Sequence, residues 1–227
     1  MLAEDALEHL KTLGDVQKAA EAAAWHKVDR PYLGIAPATI DALAREWRQT
    51  LSLEERLALA DGLWQSGVHD AMMAAAKLLE QARIRPSDDA AFALILAWLP
   101  GVEGAALSDQ LAVAGAKRLL ADPSRVDALE AFVSAENRWT RRSVLLMLNP
   151  WAKMNNPKEA DLAIRDRALA WAETLISDRN WFIQKAVSGW IADLSRHDEA
   201  RARAFIDAHG AALKSYALKE SGRFLKD

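Results

Sequence analysis

The ten residues WTRRSVLLML, starting at Trp139, align without a gap on FIQKAVSGWI, starting at Phe182, an offset of 43 residues. An aromatic, a polar, a basic and a small residue and then a valine recur in order. Each copy follows a similar lead, AENRW in one case and SDRNWF in the other. Such a unit is too small to bury a core alone, so neighbours must stack and cover one another. The offset lies inside the ~40–47 residue period of repeats built from pairs of helices.

The rest of the chain agrees. Apolar residues recur at i, i+3, i+4 almost throughout and no period-two stretch stands out, which predicts helices and no strands. The spacing places helices near residues 3–13, 15–27, 37–49, 52–65, 69–83, 87–98, 104–119, 124–134, 137–149, 157–177, 180–195, 198–209 and 211–224. Ser52 with Glu55, and Asn156 with Glu159 beside Pro157, have the spacing of capped helix starts; Pro86-Ser87, Pro123-Ser124 and Asn180 mark others. The expected fold is all-α, a superhelical stack of HEAT- or armadillo-like helix pairs with a concave groove. It is expected as a single domain over residues 1–227, monomeric by default for an array capped at both ends.

With 227 residues and 51% hydrophobic content the chain can bury a substantial core. It has no cysteine, which removes disulfides and thiolate chemistry and suits a reducing compartment, so a cytoplasmic location is expected. The acidic N-terminus MLAEDALEHL does not resemble a secretory leader. The longest apolar stretch, Ala90 to Pro100, falls short of the ~20 residues of a bilayer span, so no membrane partner is expected. The net charge of −3 is unevenly placed: residues 1–126 hold 13 Lys and Arg against 18 Asp and Glu, residues 127–227 hold 16 against 14. A local basic face is permitted but not required.

No local motif marks a metal site, a phosphate loop or a serine nucleophile, and the histidines, His9, His26, His69, His197 and His209, lack metal-ligand spacing. Neither metal nor cofactor is expected. Most of the nine tryptophans read as core: Trp47 follows Ile40, Leu43 and Ala44 on one stripe, and Trp171 precedes Leu175 on another. Arg141 and Arg142 each have two readings. One is a ladder between repeats, in which a guanidinium bonds an acidic residue or carbonyl of its neighbour; the other is a phosphate contact. The two point about 100° apart and can divide these tasks. Asp109, in the middle of an Ala- and Leu-rich helix, either faces solvent or has a partner or a task.

Taken in order, YLGI at Tyr32, LWQSGVHDAMMAAAKLL from Leu63, LSDQLA from Leu107, WTRRSV from Trp139, FIQKAV from Phe182 and RAFIDAHG from Arg203 resemble the DNA alkylation repair enzyme family, the HEAT-like-repeat alkylpurine DNA glycosylases. The resemblance implies binding of double-stranded DNA and removal of purines alkylated at N3 or N7, without metal or cofactor. It assigns Asp109 as the catalytic carboxylate and Arg142 as the DNA-backbone arginine. Gln184 and Lys185 fall in a segment that could also meet the backbone. Arg141 is a further candidate on the DNA side, with the ladder as its expected role. Two departures stand out: where the family carries tryptophans, this chain has Ala105 and Gly189. Trp190, Trp181 and Tyr32 are the candidates to fill the vacant aromatic positions. Loss of two rings predicts a slow glycosylase. A DNA-structure binder without chemistry and a protein-interaction scaffold are the alternatives.

Overall fold

A computed structural model describes residues 2–225, and among them the secondary structure is entirely helical. The chain forms two compact units that divide after Asp122.

The first unit holds α1 (Ala3–Thr12), α2 (Val16–His26), α3 (Pro37–Thr50), α4 (Leu53–Gln65), α5 (His69–Leu78), α6 (Asp89–Trp98) and α7 (Ala105–Ala121). Ser52 and Glu55 close the expected reciprocal cap at the start of α4, the Glu55 carboxylate accepting from Ser52 N at 2.9 Å and the Ser52 hydroxyl from Glu55 N at 3.2 Å. Leu59, Leu63, Leu78, Ile95, Leu107 and Leu111 make the core. Trp64 and Trp98 stack at 4.6 Å within it. The sequence placed a helix over 69–83, but α5 stops at Leu78. In the segment that follows, the guanidinium of Arg118, fully buried in α7, takes the carbonyls of Gln81 and Ala82 and the carboxylate of Asp88. A buried guanidinium needs several acceptors at once, and this segment supplies them.

The second unit opens with 3₁₀ turns over Pro123–Phe132, where a regular helix over 124–134 was expected. It continues with α8 (Arg138–Met147), α9 (Asn149–Ala152), α10 (Glu159–Leu175), α11 (Trp181–Ser195), α12 (Glu199–His209) and α13 (Ser215–Ser221). α8 ends where Pro150, lacking an N–H, opens α9 instead. The expected cap at Asn156 moves two residues on: Lys158 is the cap and Asp161, not Glu159, reaches back to its N–H at 3.0 Å. Asn137 and Asn180 cap α8 and α11 as sister residues, accepting from Trp139 N at 2.9 Å and Phe182 N at 3.0 Å. Seven of the nine tryptophans are buried; Trp25 and Trp181 are exposed.

Candidate functional site

α7 presents one open stripe. Along it Asp109, Val113 and Leu120 are exposed, with Ala105 and Lys117 half-buried between and beside them, and spacing of three or four residues puts them on one face. The neighbours of Asp109 point inward: Ser108 is fully buried, and Gln110 donates to the Glu80 carboxylate at 2.8 Å. Asp109 therefore sits on a rigid helix with its side chain outward. One turn earlier, Ala105 leaves that face low where the resemblance implies a ring.

α11 presents a second open stripe, formed by Trp181, Lys185, Gly189 and Asp193 at successive four-residue steps. Trp181 is 51% exposed and meets the Phe182 ring edge-on at 5.0 Å. The Lys185 ammonium lies 3.6 Å from Glu220, a loose surface pair that a phosphate could displace at little cost. A side chain added at Gly189 would enter open space. Trp190, by contrast, is 1% exposed, because one step along an unbroken helix turns it about 100° away from Gly189. Its indole N–H has no hydrogen-bond partner among the described residues. The ring proposed to replace the missing tryptophan lies inside the second unit.

Gln184 also lies inside. Its amide donates to the carbonyls of Ile176 at 2.8 Å and Asp178 at 3.0 Å and accepts from Lys214 N at 2.9 Å, so its hydrogen bonds hold the chain before α11 and before α13. Arg141 stands at the same place one repeat earlier, donating to the carbonyls of Ala135 at 2.6 Å and Glu136 at 2.8 Å and to the Asp178 carboxylate at 2.5 Å. This is the ladder between repeats. Arg142, at the place equivalent to Lys185, is buried to 9% exposure, one turn after the exposed Arg138. α8 and α11 meet through Trp139 and Phe182, whose rings lie 4.6 Å apart.

Tyr32 belongs to a different cluster, in the first unit. It stacks flat on His26 at 5.7 Å, and His69 closes a triangle at 4.6 Å from His26 and 4.8 Å from Tyr32. The Tyr32 hydroxyl donates to the Val28 carbonyl at 3.3 Å. Burial pushes the Tyr32 hydroxyl up and both imidazoles down, His69 to about 4. Local sequence gave no sign of this cluster. His26 ends α2, Tyr32 lies in a linker and His69 opens α5, so only the packing of three segments brings them together. Among the described residues, no group of three or more His, Asp or Glu is arranged to hold a metal ion, and no helix is long and apolar enough to cross a membrane.

The fold defines an all-helical repeat protein, and its open faces carry a carboxylate on α7 and a lysine beside an exposed tryptophan on α11. The family model described as DNA alkylation repair enzyme matches residues 6–225, and the chain belongs to that family. Among solved structures, a predicted DNA alkylation repair enzyme from Enterococcus faecalis is similar with a TM-score of 0.74 and 21% identity, covering 94% of this chain and 97% of that one. A Streptococcus mutans UA159 protein, smu.31, gives a TM-score of 0.62 at 17% identity, over 83% of this chain and 92% of that one. AlkD2 from Streptococcus mutans gives 0.61 at 16%, over 93% of this chain and 99% of that one. At these identities the likeness is one of fold. No curated protein matches the chain.

Proposed function

We propose that this chain binds alkylated double-stranded DNA and hydrolyses the N-glycosidic bond of purines alkylated at N3 or N7, slowly. The observation that carries the reading is the outward carboxylate of Asp109 on the rigid open face of α7, in a chain of the alkylation repair family. Alkylation leaves the purine positively charged. As the bond from C1′ to the base nitrogen breaks, its electron pair neutralises the base and the sugar becomes an oxocarbenium ion. A carboxylate held beside C1′ stabilises that cation, and water then adds at C1′ and gives up a proton. Lys185 and Arg142 are assigned to phosphates and Trp181 to a flat contact at the DNA surface. Gln184 and Arg141 support this face through the hydrogen bonds that knit the second unit.

Slowness follows from Ala105 and Gly189, since cation-π contacts of about 0.5–2 kcal/mol are missing from a step in which ~1.4 kcal/mol is a decade of rate. The burial of Trp190 favours a second reading, duplex binding without chemistry, because no neighbouring ring replaces the one absent at Gly189. One experiment decides between them: release of 7-methylguanine and 3-methyladenine from methylated duplex DNA by the wild-type chain and by Asp109→Asn. Release that depends on Asp109 supports the glycosylase. Salt-sensitive duplex binding with no release supports the second reading.

A further inference from the structure

Where α13 packs on α11, two cations of the second unit converge on a single oxygen. The Lys185 ammonium, from α11, and the Arg223 guanidinium, two residues past the end of α13, each lie 3.6 Å from Oε1 of Glu220. At that distance neither makes a proper hydrogen bond, so charge alone holds them there. Solvent weakens the attraction further, since the Lys185 and Arg223 side chains are 45% and 61% exposed.

Phe224 brings in a third cation. The Arg196 guanidinium, just past the end of α11, stands 3.9 Å from the centre of the Phe224 ring, and that of Arg223 stands 5.1 Å from it. These contacts restrain both guanidiniums. Arg196 has no carboxylate partner among the described residues. Three cations thus share one carboxylate, a local surplus of two positive charges. Elsewhere the same unit does the opposite: Arg201 alone is met by two carboxylates, Asp166 at 2.7 Å and Asp198 at 3.0 Å. A cluster that served stability alone would be closed in that way.

We propose that Arg223 binds a DNA phosphate together with Lys185, and that Glu220 is an internal counter-anion which the phosphodiester displaces. The proposal rests on the duplex-binding reading. A phosphodiester carries a full negative charge and two free oxygens, so it can take a guanidinium side-on and an ammonium at once, closing the hydrogen bonds that Glu220 leaves open. Arg196 strengthens the field at the same place. Glu220 lowers the affinity by keeping its two cations occupied until a stronger anion arrives.

The test is titration of the full chain with methylated and unmethylated duplex DNA at several salt concentrations. Glu220→Gln should tighten binding by about fivefold, because the two pairs it breaks are individually weak. Arg223→Gln should weaken binding by about fivefold and lower the slope of log affinity against log salt by about 1. Both effects should be the same on the two duplexes, since a phosphate contact carries no information about the base. Glu54→Gln makes the same change of charge at an exposed position of α4 in the first unit and should alter affinity by less than about twofold. In a chain that already carries Lys185→Gln and Arg223→Gln, Glu220→Gln should have no effect, because the cations it masks are gone. A gain that survives in that chain, or binding that Glu220→Gln leaves unchanged or weakens, overturns the proposal and leaves the duplex-binding reading standing. If neither wild type nor Glu220→Gln binds duplex at low salt, that reading falls and takes the proposal with it.

Discussion

Arg141 and Gln184 occupy the same place in successive repeats and do the same work with different chemistry. Each donates to carbonyls just ahead of its own helix, and each is bonded to a segment further along the chain, Arg141 to Asp178 and Gln184 to Lys214 N. Arg141→Met keeps much of the side chain and removes the guanidinium, leaving the Ala135 and Glu136 carbonyls and a half-buried carboxylate without it. We expect a loss of about 2–4 kcal/mol in urea unfolding, with duplex affinity of the folded fraction unchanged. A drop in affinity with stability intact would place Arg141 on DNA instead.

Asp109 is exposed on α7, and asparagine keeps its size and one of its acceptor oxygens, so the substitution should disturb the fold little. Asp109→Asn is expected to shift the melting temperature by no more than a couple of degrees, since exposed substitutions change stability by only about 0.5 kcal/mol. Release of methylated purines should fall by about 10²–10³-fold, the usual cost of deleting one electrostatic stabiliser. Single-turnover release measured alongside duplex binding separates the two effects.

Gly189 and Trp190 are adjacent in sequence and opposite in consequence. A side chain at position 189 enters open space, so Gly189→Trp should fold normally and raise the rate of base release by up to about tenfold through a restored cation-π contact. Helix propensity also favours replacing glycine there. Trp190→Ala empties a fully buried site and should cost about 3–5 kcal/mol. If Gly189→Trp folds and leaves the rate untouched, that face does not meet the lesion.

Lys185 is exposed and only loosely paired, whereas Gln184 beside it is fully buried. Lys185→Ala should weaken duplex binding across all sequences and lower the slope of log affinity against log salt by about 1. Gln184→Ala should cost about 1–3 kcal/mol of stability by leaving buried carbonyls and an N–H unsatisfied, and should not alter the salt slope. Titrations at several salt concentrations give both numbers.

The repeat offset read from the sequence was the most informative feature, because the same 43 residues relate Asn137 to Asn180, Trp139 to Phe182 and Arg141 to Gln184 in the folded molecule. Those positions repeat because they solve one local problem, capping and anchoring a helix against the segment before it. Asp109 was legible only as a pair of alternatives, exposed or paired, and the folded chain exposes it. What the sequence did not reveal depends on distant partners. The segment after α5 is held by Arg118, about forty residues on, which takes its carbonyls. The rotation between positions 189 and 190 could be calculated, but which one faced solvent needed the packed helix. The triangle of His26, Tyr32 and His69 has no periodicity at all.

That triangle makes folding sensitive to mild acid. Burial, and then the neighbouring His26, lowers the His69 pKa from 6.5 to about 4. Its folded pKa lies below its unfolded one, so as the pH falls below 6.5 the unfolded chain takes up a proton that the folded chain refuses. Stability is therefore lost as the pH drops from 6.5 towards about 4. His26 shifts in the same direction, with burial again the first cause. Partial exposure of His69 limits its share to about 1–3 kcal/mol. Free carboxyl groups titrate in the same region, so the measurement is the difference in urea midpoint between wild type and His69→Phe at each pH. That difference should move in favour of the phenylalanine variant as the pH falls, and a difference independent of pH would mean that His69 titrates normally in the folded chain.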